Sequence, residues 1–128
     1  MTAATSSSVT EAFSALLSAL RAGDILTAFN THYAEDIVMV EGTGASTEGF
    51  EANLEREKQF LASVKEWKQL SIESSAVTDN GDGTGSSFIE YNFDFINTDD
   101  QEVRYEQVAR QTWRGGKIVN ERFYYNAG

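Results

Sequence analysis

The chain has 128 residues, no cysteine, no proline, one histidine and a formal net charge of −10, its twenty acidic side chains spread among ten basic ones. That length suits one core rather than two, and cations this scattered exclude a phosphate-tracking surface, so neither nucleic acid nor an anionic membrane is an expected partner. Lack of thiols excludes disulfides, thiolate zinc and a cysteine nucleophile, and a lone histidine excludes a multi-histidine centre, so no metal is expected.

No apolar run approaches the roughly 20 residues needed to span a bilayer. The opening MTAATSSSVT has neither a basic region nor an apolar signal core, so a soluble, cytoplasmic protein is expected. Residues 1–7 are small and polar and read as a frayed lead-in to a single domain over 8–128.

Ser8-Val9-Thr10-Glu11 reads as a capping box, and Val9, Ala12, Phe13, Leu16, Leu17 and Leu20 recur at helical spacing behind it. Gly23 is a left-handed stop and Asp24 caps a second helix with the stripe Ile25, Leu26, Phe29, Tyr33. His32 is expected on the surface of that helix. Ile37 to Val40 then switch to strand chemistry and end in Glu41, after which Gly42, Gly44 and Gly49 mark a turn-rich link. A third helix is predicted from about Phe50 to Val64. Its run Glu55-Arg56-Glu57-Lys58 reads as a solvated face, with Arg56 or Asn53 placed to turn inward.

From Trp67 onward the pattern is β. WKQLSIESSAVT, SSFIEYNFDFI, EVRYEQVARQTW and IVNERFYY are separated by DNGDGTG, NTDDQ and RGGK, which predicts four consecutive antiparallel strands. The order is α-α-β-α-β-β-β-β, an α+β fold in which the helices cover one face of the sheet. Alternation puts Ile89, Tyr91, Phe93 and Phe95 on one face, opposite Glu90, Asn92 and Asp94. On the last strand it groups Val119, Glu121, Phe123 and Tyr125 against Ile118, Asn120, Arg122 and Tyr124. Large groups on both of these faces imply that the outer one is covered too, by a second subunit.

Two motif-like stretches fail on inspection. TDNGDGTGSSFIE would make a calcium loop only if Thr78 and Ile89 were acidic ligands, and its Asn-Gly and Asp-Gly pairs fit a hairpin turn. GTGAST lacks the third glycine and the following parallel strand of a dinucleotide fingerprint, and the lysine of a phosphate loop.

Ala22-Gly23-Asp24, Tyr33-Ala34-Glu35-Asp36 before a strand, Thr47-Glu48-Gly49 before a helix, and the closing WRGGKIVNERFYY together resemble the nuclear transport factor 2-like superfamily. Within it the chain looks like the SnoaL-like small proteins, over roughly residues 8–126. The resemblance implies a cone, a curved antiparallel sheet wrapped around three helices (a cystatin-like α+β roll), with a pocket at its open end. It also implies a homodimer through the outer sheet face and chemistry without a cofactor.

The ketosteroid isomerases of that superfamily carry a general-base carboxylate at the end of the first strand, where this chain has Glu41. Their tyrosine on the first helix falls on Leu16 and their protonated aspartate on Ala109, so steroid isomerisation is not expected. The Asp-Arg-Asp set of the limonene epoxide hydrolases falls on Phe93, Tyr91 and Phe123, which excludes that chemistry as well.

What the resemblance leaves is a pair of candidate acids, Glu41 and Glu121. Their expected pocket binds a small apolar or aromatic molecule between Tyr91, Phe93, Phe95, Trp113, Phe123 and Tyr125, with Gln107 and Gln111 as polar neighbours. Two carboxylates in one cavity can share a proton, so that one accepts while the other donates. The expected protein is a cofactor-independent isomerase or cyclase with Glu41 as base, or else a non-catalytic module that binds a ligand or a protein through the same cone.

Overall fold

The structure, a computed structural model, describes residues 8–126; the proposed lead-in 1–7 lies outside them. Three helices, α1 (Val9–Arg21), α2 (Ile25–His32) and α3 (Phe50–Ala62), sit within one six-stranded curved sheet. Its strands are β1 (Tyr33–Val40), β2 (Ser46–Glu48), β3 (Val64–Asp79), β4 (Thr84–Asn97), β5 (Glu102–Arg114) and β6 (Lys117–Asn126), in the spatial order β2-β1-β6-β5-β4-β3. The four long strands β3 to β6 pair antiparallel, as their turn residues predict, whereas β1 joins β6 in parallel.

The predicted capping box forms. The Ser8 hydroxyl accepts from the Glu11 amide at 3.1 Å, and the Glu11 carboxylate accepts from the Ser8 amide at 3.2 Å. Asp24 precedes α2 as expected but makes no side-chain capping hydrogen bond. Tyr33 is not part of the α2 stripe: the chain becomes extended there, and Tyr33 opens β1.

His32 ends α2 buried rather than on the surface, 7% exposed, with its ring edge-on to Trp113. Burial first, and Lys117 second, hold its pKa below the usual value. The glycine link after β1 contains a strand, since Glu41 and Ala45 close a tight turn that returns the chain as β2 against Val38–Val40. The third helix ends at Ala62, two residues early, because Val64 already pairs with Asn97 across β3 and β4.

Curvature comes from register shifts. β3 slips against β4 at three places, after Val64, Trp67 and Ile72, and each unpaired residue bends the strand and sharpens its twist. The concave face so formed holds the core: Val9, Phe13 and Leu16 of α1, Ala28 and Phe29 of α2, Ile37 and Met39 of β1, with Ile89, Trp113 and Ile118. Gly115 and Gly116, at φ 61° and 81°, make the two-residue hairpin between β5 and β6, a turn that needs positive φ at both positions.

One assignment of faces reverses here. Thr112 pairs with Asn120 but Trp113 with Ile118, so Val119 is an extra residue and the alternation of β6 shifts by one across it. Ile118 therefore points inward, fully buried beside Trp113, on the same side as Glu121 rather than the opposite one.

Candidate active site

The open end of the sheet leads into a cavity of about 410 Å³, a size suited to a small organic molecule. Its helical wall is Leu16, Leu20, Ile25, Ala28 and Phe29, and its sheet wall is Leu70, Ile72, Tyr91, Phe93, Tyr105 and Phe123. Aromatic rings follow one another along that second wall. Tyr91 stacks on Phe93 at 5.3 Å, and Phe93 meets Tyr105 edge-on at 6.4 Å, as does Tyr105 with Tyr125 at 5.8 Å. The Tyr125 ring also lies against Gly42, where an added Cβ would come within 3.0 Å of it, so a glycine is what lets the loop after β1 approach the mouth.

Glu121 projects into this space from the middle of β6. It is 2% exposed, and no cation lies within ion-pairing distance of it among the described residues. Both of its oxygens are held: the Tyr33 hydroxyl donates to one at 2.5 Å, and the Gln111 side-chain amide to the other at 2.7 Å. Gln111 is fixed in turn, because the Trp113 indole N–H donates to the Ser87 hydroxyl at 2.8 Å and that hydroxyl donates to the Gln111 carbonyl at 2.7 Å.

The direction of this chain is set by chemistry. An indole can only donate, so Ser87 must donate onward, and Gln111 is left to turn its NH₂ toward Glu121. Desolvation pushes the Glu121 carboxyl up to about 7; the Gln111 and Tyr33 hydrogen bonds oppose this, while Glu57 and Glu41 add to it. Burial and the same carboxylate hold the Tyr33 and Tyr91 phenols well above their usual range.

Glu41 lines the cavity nearer its mouth, because it continues the inward alternation of Ile37 and Met39. It does not stand alone there: its carboxylate forms an ion pair with Arg56, whose other amino group donates to the Thr47 hydroxyl at 2.9 Å. Arg56 thus turns toward the site, as Asn53 does. Asn53 is 1% exposed and donates to the Thr47 carbonyl of β2 at 2.9 Å, to the Ile37 carbonyl of β1 at 3.4 Å and to the Gly49 carbonyl at the start of its own helix at 2.8 Å; the first two tie α3 to the sheet.

Of the residues expected from sequence, Glu41, Glu121, Tyr91, Phe93, Gln107, Phe123 and Tyr125 line the cavity. Phe95, Gln111 and Trp113 do not. Phe95 packs into an aromatic cluster with Phe60 and Trp67, and Trp113 and Gln111 lie one layer behind the cavity, supporting Glu121.

The charged neighbours of Glu57 predict a solvated face, yet it lines the cavity, and burial pushes its carboxyl up to about 6. Arg56 pulls the other way and Glu41 reinforces the rise. The signal was present in the sequence: Phe50, Asn53, Leu54, Glu57 and Phe60 recur at steps of three and four, so Asn53 and Glu57 lie on the apolar stripe of α3. Tyr33 and Tyr105 also line the cavity; helical spacing hides the first in the α2 stripe, and the second lies within a strand of mixed polarity. No group of three metal-ligating side chains occurs among the described residues.

A curved sheet closed by three helices around a pocket with buried acids defines a nuclear transport factor 2-like α+β protein. The chain belongs to the SnoaL-like domain family, whose model matches residues 13–121. It is similar to a solved structure from Mesorhizobium loti, assigned as a SnoaL-like polyketide cyclase with carbohydrate phosphatase given beside it. The two share 28% identity at a TM-score of 0.80, covering 93% of this chain and 100% of that one. An assigned aromatic ring hydroxylase from Novosphingobium aromaticivorans shares 17% identity at a TM-score of 0.71, over 92% and 86% of the chains.

A protein from Catenulispora acidiphila with a ketosteroid isomerase-like fold, solved with trimethylamine, shares 19% identity at a TM-score of 0.61, over 79% and 75%. At such identities these last two likenesses concern the fold alone. No curated protein matches the chain.

Proposed function

We propose that this protein is a cofactor-independent acid–base catalyst acting on an apolar or aromatic small molecule, of the isomerase or cyclase type, with Glu121 as the group that takes a proton from carbon. The observation that carries this reading is a buried carboxylate with no cation beside it, held at both oxygens and facing an open apolar cavity. A carboxyl brought near neutrality by burial is divided between its acid and base forms at working pH, which is what general catalysis requires. Glu41, the base expected from the resemblance, fits a different role: paired with Arg56, it holds α3 against the strand at the mouth. The polyketide cyclase assignment of the Mesorhizobium protein is consistent with proton transfer at carbon.

The test is exchange of a carbon-bound proton. The wild type in D₂O should speed deuterium incorporation at the acidic carbon of 2-tetralone, an enolisable aromatic ketone, and Glu121→Gln should lower that acceleration by about 10²-fold or more. Saturable tetralone binding with no exchange would favour the non-catalytic ligand-binding module instead.

The outer sheet face supports a homodimer. Phe88 and Tyr124 are exposed there, and Arg110 faces Arg122 across β5 and β6 with the Nε of each buried and unpartnered among the described residues. Like charges directly opposite are unfavourable on a bare sheet, and acceptors from a second acidic copy would satisfy them.

A further inference from the structure

We propose that the cavity recognises a ligand carrying a protonated amine, seated between Glu57 of α3 and the aromatic sheet wall. This inference rests on the cavity being the ligand site and names the class of ligand it takes.

Two features of the cavity point to it. Glu57 lines the cavity from α3 and makes no hydrogen bond and no ion pair with any described residue. An unpaired carboxylate in a cavity walled largely by apolar and aromatic side chains matches the N–H donors and the charge of an ammonium group.

The rest of the cavity agrees. The charged groups facing Glu57 are Arg56 beside it, Glu41 at the end of β1, Glu121 on β6 and, at the mouth, Arg21 of α1. Arg56 is committed to Glu41 and Thr47, and Arg21 is exposed and screened by solvent. Glu57 and Glu121 therefore have no dedicated counter-ion inside. Across from them the phenol and phenyl rings of Tyr91, Phe93, Tyr105 and Tyr125 form an adjoining belt, the surface a desolvated cation prefers.

The consequence reaches Glu121. A cation in the cavity favours the ionised form of both carboxyls, so binding expels the proton that Glu121 shares with water near neutral pH. The substrate's own charge would then convert Glu121 into the carboxylate that accepts a proton from carbon.

The test uses 2-naphthylmethylamine and 2-naphthylmethanol, which share a frame but differ in charge, titrated calorimetrically near neutral pH in buffers of different ionisation enthalpy. The amine should bind about tenfold more tightly or better, with proton release that the alcohol does not show. Glu57→Gln should bring the two affinities together by weakening the amine and leaving the alcohol unchanged. Equal affinities, tighter binding of the alcohol, or a preference that survives Glu57→Gln would overturn the proposal while leaving the cavity a ligand site. Binding of neither compound would overturn the proposal and count against the ligand pocket itself.

Discussion

The Tyr33 hydroxyl lies 2.5 Å from a Glu121 oxygen, joining the first residue of β1 to the middle of β6 across 88 positions of sequence. This contact, with that of Gln111 on the other oxygen, holds a buried acid in one orientation.

Glu121 should make stability fall as pH rises. Its carboxyl is near 4.5 in the unfolded chain and about 7 in the folded one, so the folded state binds the proton more tightly. Its contribution is complete below the unfolded value and is lost as pH climbs through the folded one; Glu57 acts the same way, from 4.5 to about 6. For Glu121 the displacement corresponds to about 3 kcal/mol. Thermal melts from about pH 4 to about pH 9 should show Glu121→Gln gaining on the wild type across this window, and a parallel pH dependence would contradict the assignment.

Glu41→Gln should leave deuterium exchange from 2-tetralone nearly intact. The pair it breaks is partly solvent-exposed, so the loss of stability should be no more than about 1 kcal/mol by urea denaturation. Loss of exchange comparable to that of Glu121→Gln would return Glu41 to the role of base.

Ser87→Ala should act on Glu121 from two bonds away. It strands the Trp113 N–H and frees the Gln111 amide to turn, at about 2 kcal/mol in stability. Gln111 would then no longer be fixed as a donor, and the Glu121 carboxyl should rise further. Carbon-13 NMR of labelled glutamate reads that shift, which a purely packing role for Ser87 would not produce.

Asn53→Ala should destabilise the protein by about 2 kcal/mol, since it removes the hydrogen bonds that tie α3 to β1 and β2 and empties a buried site. Chemical denaturation measures it. A change within error would mean that α3 is held mainly by its apolar stripe.

Tyr124→Glu should weaken self-association. The residue is 47% exposed on the outer face, opposite Val108, and a buried carboxylate there would be unfavourable in a dimer. Sedimentation should show a dimeric wild type and a variant shifted toward monomer; a monomeric wild type at high concentration refutes the interface.

The sequence by itself determined the order of all the elements but the short β2, the four-stranded antiparallel run and the inward set of β4. Ile89, Tyr91, Phe93 and Phe95 alternate without interruption against polar neighbours, and a period of two is a local property that needs no partner to be legible. The capping box of α1 was readable for the same reason: Ser8 and Glu11 lie within one turn. The tertiary structure alone decided what depended on pairing. Val119 became a bulge only against β5, which brought Ile118 inward, and Tyr33 left its helix to pair alongside Ile118 in a parallel contact that no turn announces. Glu57 joined the acids, and Glu41 was taken by Arg56, because the cone folds α3 over the end of β1; whether a carboxylate is spent on a protein cation or left to a ligand depends on neighbours distant in sequence.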